Sequence, residues 1–243
     1  MTIYLFKLAY HDCTFDEKKQ IALYNWYLIY IDDVSSKDIS TYIAFQERFI
    51  RKLPQLDPVL DRLASVLHAM FDFYPVFFAN SIISATFEFV SGTCIEPSVE
   101  KLELSSASTR FPWFLRDRTG VAVAFALMLF PKSRQVDYVT CFQVMADMDF
   151  WISATNDLLS YHKESIAGET ANYISNRAVA EGKKALQIVL DIRGELFRSR
   201  NHIYETLMKT AGEKATKVWR TWEHGYITWH LQQKRYKLQE LGL

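Results

Sequence analysis

Apolar residues recur at helical spacing almost from end to end of this chain, and nowhere do they alternate as a half-buried strand requires. The pattern predicts helices over 16–33, 39–52, 57–73, 76–92, 111–129, 135–164, 170–197, 200–210 and 212–238. The breaks fall at punctuation. Pro54 and Pro58 flank one boundary and Pro75 marks the next, while Pro97 is expected to open a loop through the Ser-rich stretch 104–109. Pro131-Lys132-Ser133 separates two long helices, and Gly168 follows the second. No repeat, low-complexity segment or linker divides the chain, so the expected architecture is one all-α domain over 1–243. Helices 76–92 and 111–129 are apolar around most of their circumference, which marks them as central. Packing accounts for most of their residues, but not for the polar ones set among them.

Composition supports a single domain. At 243 residues the fold should bury roughly 70–75% of the unfolded surface. Eight Gly and six Pro are about half the usual share, leaving few residues for turns. Lys+Arg and Asp+Glu are both 28, and this balance argues against nucleic acid as the main partner, because that binding needs a basic footprint. Cys13, Cys94 and Cys141 are too scattered for a metal or disulfide motif and are expected to be reduced, buried thiols of a cytoplasmic protein. The most apolar run, 121–130, is about half the length a bilayer span needs. The N-terminus lacks the charged n-region and small-residue cleavage site of a signal peptide.

Two clusters carry candidate chemistry. In Asn156-Asp157-Leu158-Leu159-Ser160-Tyr161-His162-Lys163-Glu164, an amide, a hydroxyl and a carboxylate recur every fourth residue, on one helix face. Such oxygens suit a hard cation like Mg²⁺, which keeps waters or phosphates in the rest of its shell. Lys163 beside them is a point charge suited to phosphate. Spacing alone is equally compatible with an ordinary polar helix end. The second cluster, Asp32-Asp33, closes an aromatic helix (Tyr24, Trp26, Tyr27, Tyr30) where two acids oppose the helix dipole. Alone, such a pair is more often a solvated turn than a site. The histidines add nothing: His68 and His202 lack partners at ligand spacing, His224 and His230 stand six apart on different faces, and His162 points away from the 156/160/164 face.

Taken together, in a helical chain with 17 Phe, 13 Tyr and 6 Trp, these clusters resemble class I terpene cyclases, and more closely the fungal trichodiene synthase family. Three further stretches carry the resemblance. Phe111-Pro112-Trp113-Phe114-Leu115-Arg116-Asp117-Arg118-Thr119-Gly120 is similar to the family's diphosphate-sensing region, with Arg116 as sensor and Gly120 at the helix break. Leu129-Phe130-Pro131-Lys132 follows at the family's spacing, and His224 to Leu231 with Lys234-Arg235-Tyr236 resembles its C-terminal helix and Arg-Tyr pair. The likeness spans about 16–238.

The resemblance implies a single-domain helical bundle around a central cavity, with Asp32 binding Mg²⁺ from one side and Asn156, Ser160 and Glu164 holding another Mg²⁺ from the opposite side. It implies that Arg116, Lys163, Arg235 and Tyr236 contact the substrate diphosphate, and that Tyr226 and Trp229, three apart on one face, line the cavity. Glu96 stands where the family also carries an acid and is a weak metal candidate. The implied activity is Mg²⁺-dependent cyclisation of farnesyl diphosphate to a cyclic hydrocarbon or alcohol, and the resemblance also implies a homodimer. Two departures stand out: Val34-Ser35 delays Lys37 and Asp38 relative to the family's Asp-rich motif, and only about fifteen residues precede the Asp-terminated helix where the family carries several dozen. A shortened cap would admit water and favour hydroxylated products. The alternative reading is a degenerate, non-catalytic helical protein that still binds prenyl diphosphate.

Overall fold

Thr14 starts the first helix with a reciprocal cap. Its hydroxyl accepts the Glu17 N–H at 3.3 Å, and the Glu17 carboxylate accepts the Thr14 N–H at 2.8 Å. The computed structural model describes residues 8–242, and among these there are helices and no strands. In chain order the helices are α1 (Phe15–Val34), α2 (Ile39–Ile43), α3 (Phe45–Ile50), α4 (Pro58–Phe73), α5 (Val76–Val99), α6 (Phe111–Thr119), α7 (Ala122–Leu127), α8 (Tyr138–Cys141), α9 (Met145–Ala167), α10 (Tyr173–Glu181), α11 (Ala185–Thr210) and α12 (Gly212–Gln232). None is long and apolar enough to cross a membrane. Cys13, Cys94 and Cys141 are free and buried.

The all-α expectation holds, while several boundaries differ for local reasons. Helix α5 runs on through Pro97 to Val99, since a proline in the last turn removes one hydrogen bond and the Glu100 N–H still reaches the Glu96 carbonyl at 3.0 Å. The helix expected over 111–129 breaks at Gly120. The helix expected over 135–164 becomes α8, a 3₁₀ turn (Phe142–Val144) and α9. The break expected near residue 198 lies instead at Gly182, whose φ of +63° closes α10 in the left-handed region, so α11 is continuous. The last helix stops at Gln232, and Lys234–Tyr236 form a separate 3₁₀ turn. The stretch 39–52 splits at Ala44 into α2 and α3.

Buried polar clamps set the register of the central helices. Gln20 on α1 donates to the Val66 carbonyl of α4 at 2.6 Å. Thr86 on α5 donates to the Ile82 carbonyl, so it is Tyr24 on α1 that donates to Thr86, at 2.9 Å. Tyr226 on α12 donates to the Ile152 carbonyl of α9 at 3.2 Å. Along α12 the rings of Trp219, Trp222, Tyr226 and His230 form a continuous column, with successive centroids 5.5, 4.7 and 4.4 Å apart. Spacings of three and four residues keep these rings on one face, turned to the interior.

Close approach also dictates two glycines. A Cβ on Gly92 of α5 would overlap the Arg118 carbonyl at the end of α6, so these helices meet here only with glycine. A Cβ on Gly120 would overlap the Arg116 guanidinium and crowd the Arg116 carbonyl at 2.8 Å. At the α6–α9 junction two carboxyls face each other: burial, and then the Asp117 charge, push Asp149 up to about 7. Raised above its unfolded value, the Asp149 carboxyl makes the native state bind more protons, so stability falls as pH rises from about 4 through 7. Asp149→Asn is therefore expected to flatten that slope and raise the melting temperature above pH 7. An unchanged pH profile of melting would show that the pair does not share a proton.

Candidate active site

Helices α1, α5, α6, α7, α9 and α12, with the 234–236 turn, surround a cavity of about 890 Å³. This is within the range of small-molecule sites. Its two ends differ in chemistry. Leu28, Ile29, Phe89, Phe125, Ile152 and Tyr226 furnish an apolar and aromatic wall, whereas Asp32, Arg116, Lys163, Arg235, Asn156 and Glu164 supply charge and polar oxygens. The structure thus brings to one cavity Asp32, Asn156, Ser160, Glu164, Arg116, Lys163, Arg235, Tyr236 and Tyr226 from separate stretches of sequence. Glu96 lines it as well. Trp229 does not: it is buried beside the cavity, edge-on to His230 and to Tyr236 with centroids at 4.6 and 5.8 Å. Three residues along a helix turn a side chain by about 60° from the starting face. Tyr226 takes the cavity position, and Trp229 is turned into the packing. Lys37 and Asp38 also stay outside; Asp38 caps α2 by accepting the Thr41 N–H at 3.3 Å.

The acids and bases of the polar end act on one another. Asp32 lines the cavity and keeps exposed surface, yet desolvation by the surrounding protein and the Asp33 charge raise its carboxyl against the pull of Arg235, Arg116 and Lys163. Burial, followed by the charges of Asp32 and Glu100, pushes Glu96 up to about 7. Carboxyls held this way gain from any cation placed between them. On the opposite wall, Asn156, Ser160 and Glu164 occupy successive turns of α9, as their spacing requires. Lys163 donates to Glu164 at 3.2 Å. An amide oxygen, a hydroxyl and carboxylates are donors of the kind a hard divalent cation takes.

Three residues complete the arrangement that sequence spacing did not reveal. Asp157 grips Arg116 through the guanidinium Nε, with oxygens at 2.8 and 2.9 Å, and a terminal nitrogen of Arg116 reaches the Ser153 carbonyl at 3.4 Å. Burial pushes Asp157 up to about 6 even against the pull of Arg116, and its two oxygens on Nε aim the arginine. Gly120 leaves room for that guanidinium. The third is His230. Its Nδ1 lies 2.9 Å from the Tyr226 carbonyl, which only accepts, so Nδ1 carries the proton and Nε2 is an acceptor. Facing Nε2 at 3.2 Å is the Asn156 amide, which must therefore present its NH₂. The same amide contacts the Tyr236 hydroxyl. The Asn156 nitrogen is thus engaged on this side, and its oxygen is turned the other way. Fully buried, His230 has its pKa depressed to about 4, mainly by desolvation, so it stays neutral. In the sequence, the six-residue gap from His224 hid it, because its partner comes from α9.

The chain is similar to known proteins along nearly its whole length. The family model of trichodiene synthase (TRI5) matches residues 1–242. Terpene synthase BipA of Cochliobolus sativus is 35% identical over 227 residues, covering 93% of this chain and 70% of the relative. Longiborneol synthase CLM1 of Gibberella zeae is 30% identical over 248 residues, covering 97% and 70%. Among solved structures, the linalool/nerolidol synthase of Streptomyces clavuligerus, in complex with 2-fluorogeranyl diphosphate, aligns with a TM-score of 0.70. That alignment covers 96% of this chain and 87% of the other at 14% identity, a likeness of fold.

His230→Phe would keep the ring volume but remove the acceptor that orients Asn156. Apparent Mg²⁺ affinity, titrated calorimetrically with inorganic diphosphate present, is expected to weaken about tenfold while helicity is retained. An unchanged affinity would mean that the amide is oriented by something else.

Proposed function

This chain belongs to the trichodiene synthase family of terpene synthases, and we propose on that basis that it is a sesquiterpene cyclase. It would ionise farnesyl diphosphate in a Mg²⁺-dependent reaction and release diphosphate with a cyclic hydrocarbon or alcohol. The observation that carries this reading is the two-ended cavity, in which candidate metal and diphosphate ligands from α1, α6, α9 and the 234–236 turn meet at one end of an apolar chamber. Asp32 on one wall and Asn156, Ser160 and Glu164 on the other are the residues that would hold the metal. When bound, Mg²⁺ supplies the positive charge that stabilises a departing diphosphate.

The chain's own groups would do the rest. Arg116, braced by Asp157, and Lys163, Arg235 and Tyr236 donate to diphosphate oxygens and bear the charge that grows on them as the C–O bond breaks. His230 keeps the Asn156 oxygen facing the cavity. The wall of Leu28, Ile29, Phe89, Phe125, Ile152 and Tyr226 keeps out bulk water and offers no side-chain nucleophile. Its aromatic faces steady positive charge by about 0.5–2 kcal/mol per contact. A barrier lowered by charge stabilisation alone needs no Ser-His-Asp or Cys-His nucleophile, and none is called for here. The homodimer implied by the family likeness and the cytoplasmic location expected from the scattered, unpaired cysteines belong to the same reading.

The test is incubation with farnesyl diphosphate, with and without Mg²⁺, and mass spectrometry of the extracted products. A cyclic C15 product that disappears with chelator is expected. Failure to convert farnesyl, geranyl or geranylgeranyl diphosphate, with diphosphate still bound, would favour the non-catalytic alternative. Asn156→Ala and Glu164→Ala are each expected to lower turnover at least about a hundredfold with the circular dichroism unchanged. Full activity in both would remove α9 from metal binding.

A further inference from the structure

Along α1 the cavity wall is built by Asn25, Leu28, Ile29 and Asp32, one face of the helix at spacings of three and four. Asp32 stands at the charged end. Asn25 lies two turns earlier, about 10 Å away along the axis, among apolar neighbours. The residue is 8% exposed, and it borders the cavity. Among the described residues its amide has no hydrogen-bond partner, and it is not sealed off from the cavity space. The Tyr226 hydroxyl, a polar group on the facing wall of the cavity, is already spent on the Ile152 carbonyl.

An amide set among apolar neighbours is paired only through the cavity it borders, and Leu would fill nearly the same volume without needing a partner. Something that enters the cavity must pair with it. A prenyl chain has no nitrogen or oxygen to offer, and its diphosphate belongs at the opposite end with Arg116, Lys163 and Arg235. A water molecule does match: it donates to Oδ1 or accepts from Nδ2, as the amide does in reverse.

We propose that Asn25 holds a water molecule against the hydrocarbon part of the substrate, and that this water ends the reaction by capturing the carbocation, so that the main product is an alcohol. The inference rests on the cyclase reading above. In the capture step a water lone pair forms the new C–O bond to the cationic carbon. The resulting oxonium loses one proton, which the released diphosphate takes up. Prenyl diphosphate and water thus become alcohol and hydrogen diphosphate, with no oxidant or reductant. Asn25 touches the water and selects between capture and proton loss to an alkene; it neither starts ionisation nor accepts the proton.

The experiment is turnover of farnesyl diphosphate with Mg²⁺ in H₂¹⁸O by the full chain and by Asn25→Leu and Asn25→Ser. The readout is the alcohol-to-hydrocarbon ratio within each reaction, which does not depend on how much enzyme is folded. The unaltered protein is expected to give mainly alcohol labelled with ¹⁸O at carbon. Unlabelled alcohol would mean simple phosphate-ester cleavage and would overturn the proposal. Asn25→Leu should lower the ratio about tenfold, while Asn25→Ser, which still pairs with water, should keep alcohol as the larger fraction. An unchanged ratio in Asn25→Leu, or a hydrocarbon-only product from the unaltered protein, would overturn the role of Asn25 and leave the cyclase reading standing. No conversion of any prenyl diphosphate would overturn the cyclase reading itself, and this inference with it.

Discussion

The arrangement of this site depends on one buried contact, between the Asn156 amide on α9 and the His230 ring on α12. A backbone carbonyl fixes the His230 tautomer, the tautomer fixes which end of the amide it can receive, and the amide then has one orientation left. The ring stands where it does because it ends the aromatic column of Trp219, Trp222 and Tyr226. The Tyr226 hydroxyl pins that column to α9 through the Ile152 carbonyl. Core packing and the orientation of the Asn156 amide therefore rest on the same set of contacts, and a slip of α12 by one turn would undo both.

Charge at the polar end is organised by the same economy of partners. Arg116 is held by Asp157 and given space by Gly120, so its direction is set before any ligand arrives. Asp32 and Glu96, both raised by burial, lack such a brace; Arg235, Arg116 and Lys163 only partly offset the first, and Arg116 the second. Such an imbalance marks a place where charge is to be supplied. At the far end charge is absent, and the walls are hydrocarbon and aromatic. A cavity that is polar at one end and inert at the other suits a reaction in which an anion leaves and a cation remains, and the unpartnered amide of Asn25 is a local exception within the inert part.

Much of this was legible from residue order. Helical periodicity, scarce Gly and Pro, and the absence of alternation determine an all-α chain, because a strand needs a different spacing. The 156/160/164 spacing determines that those three oxygens share a face, because α-helical geometry is rigid over two turns. Helix ends were less legible. Pro97 was compatible with helix in a last turn, and the α10–α11 break depended on Gly182 adopting a positive φ with Arg177 tied to Glu195 across it, at 2.6 and 2.7 Å.

What only the tertiary structure decided are the contacts between helices. His230 and Asn156 are 74 positions apart, Arg116 and Asp157 are 41 apart, and nothing local in either stretch reports the other. Trp229 shares a helix with Tyr226 but not its outlook, since a rotation of about 60° is enough to exchange cavity for core. Asn25 reads in sequence as one polar residue in an aromatic helix; it becomes significant because the surrounding helices leave its amide against open space. Periodicity determines which residues share a face, whereas what that face meets is settled by packing among distant segments, where the free energies of burial and hydrogen bonding are decided.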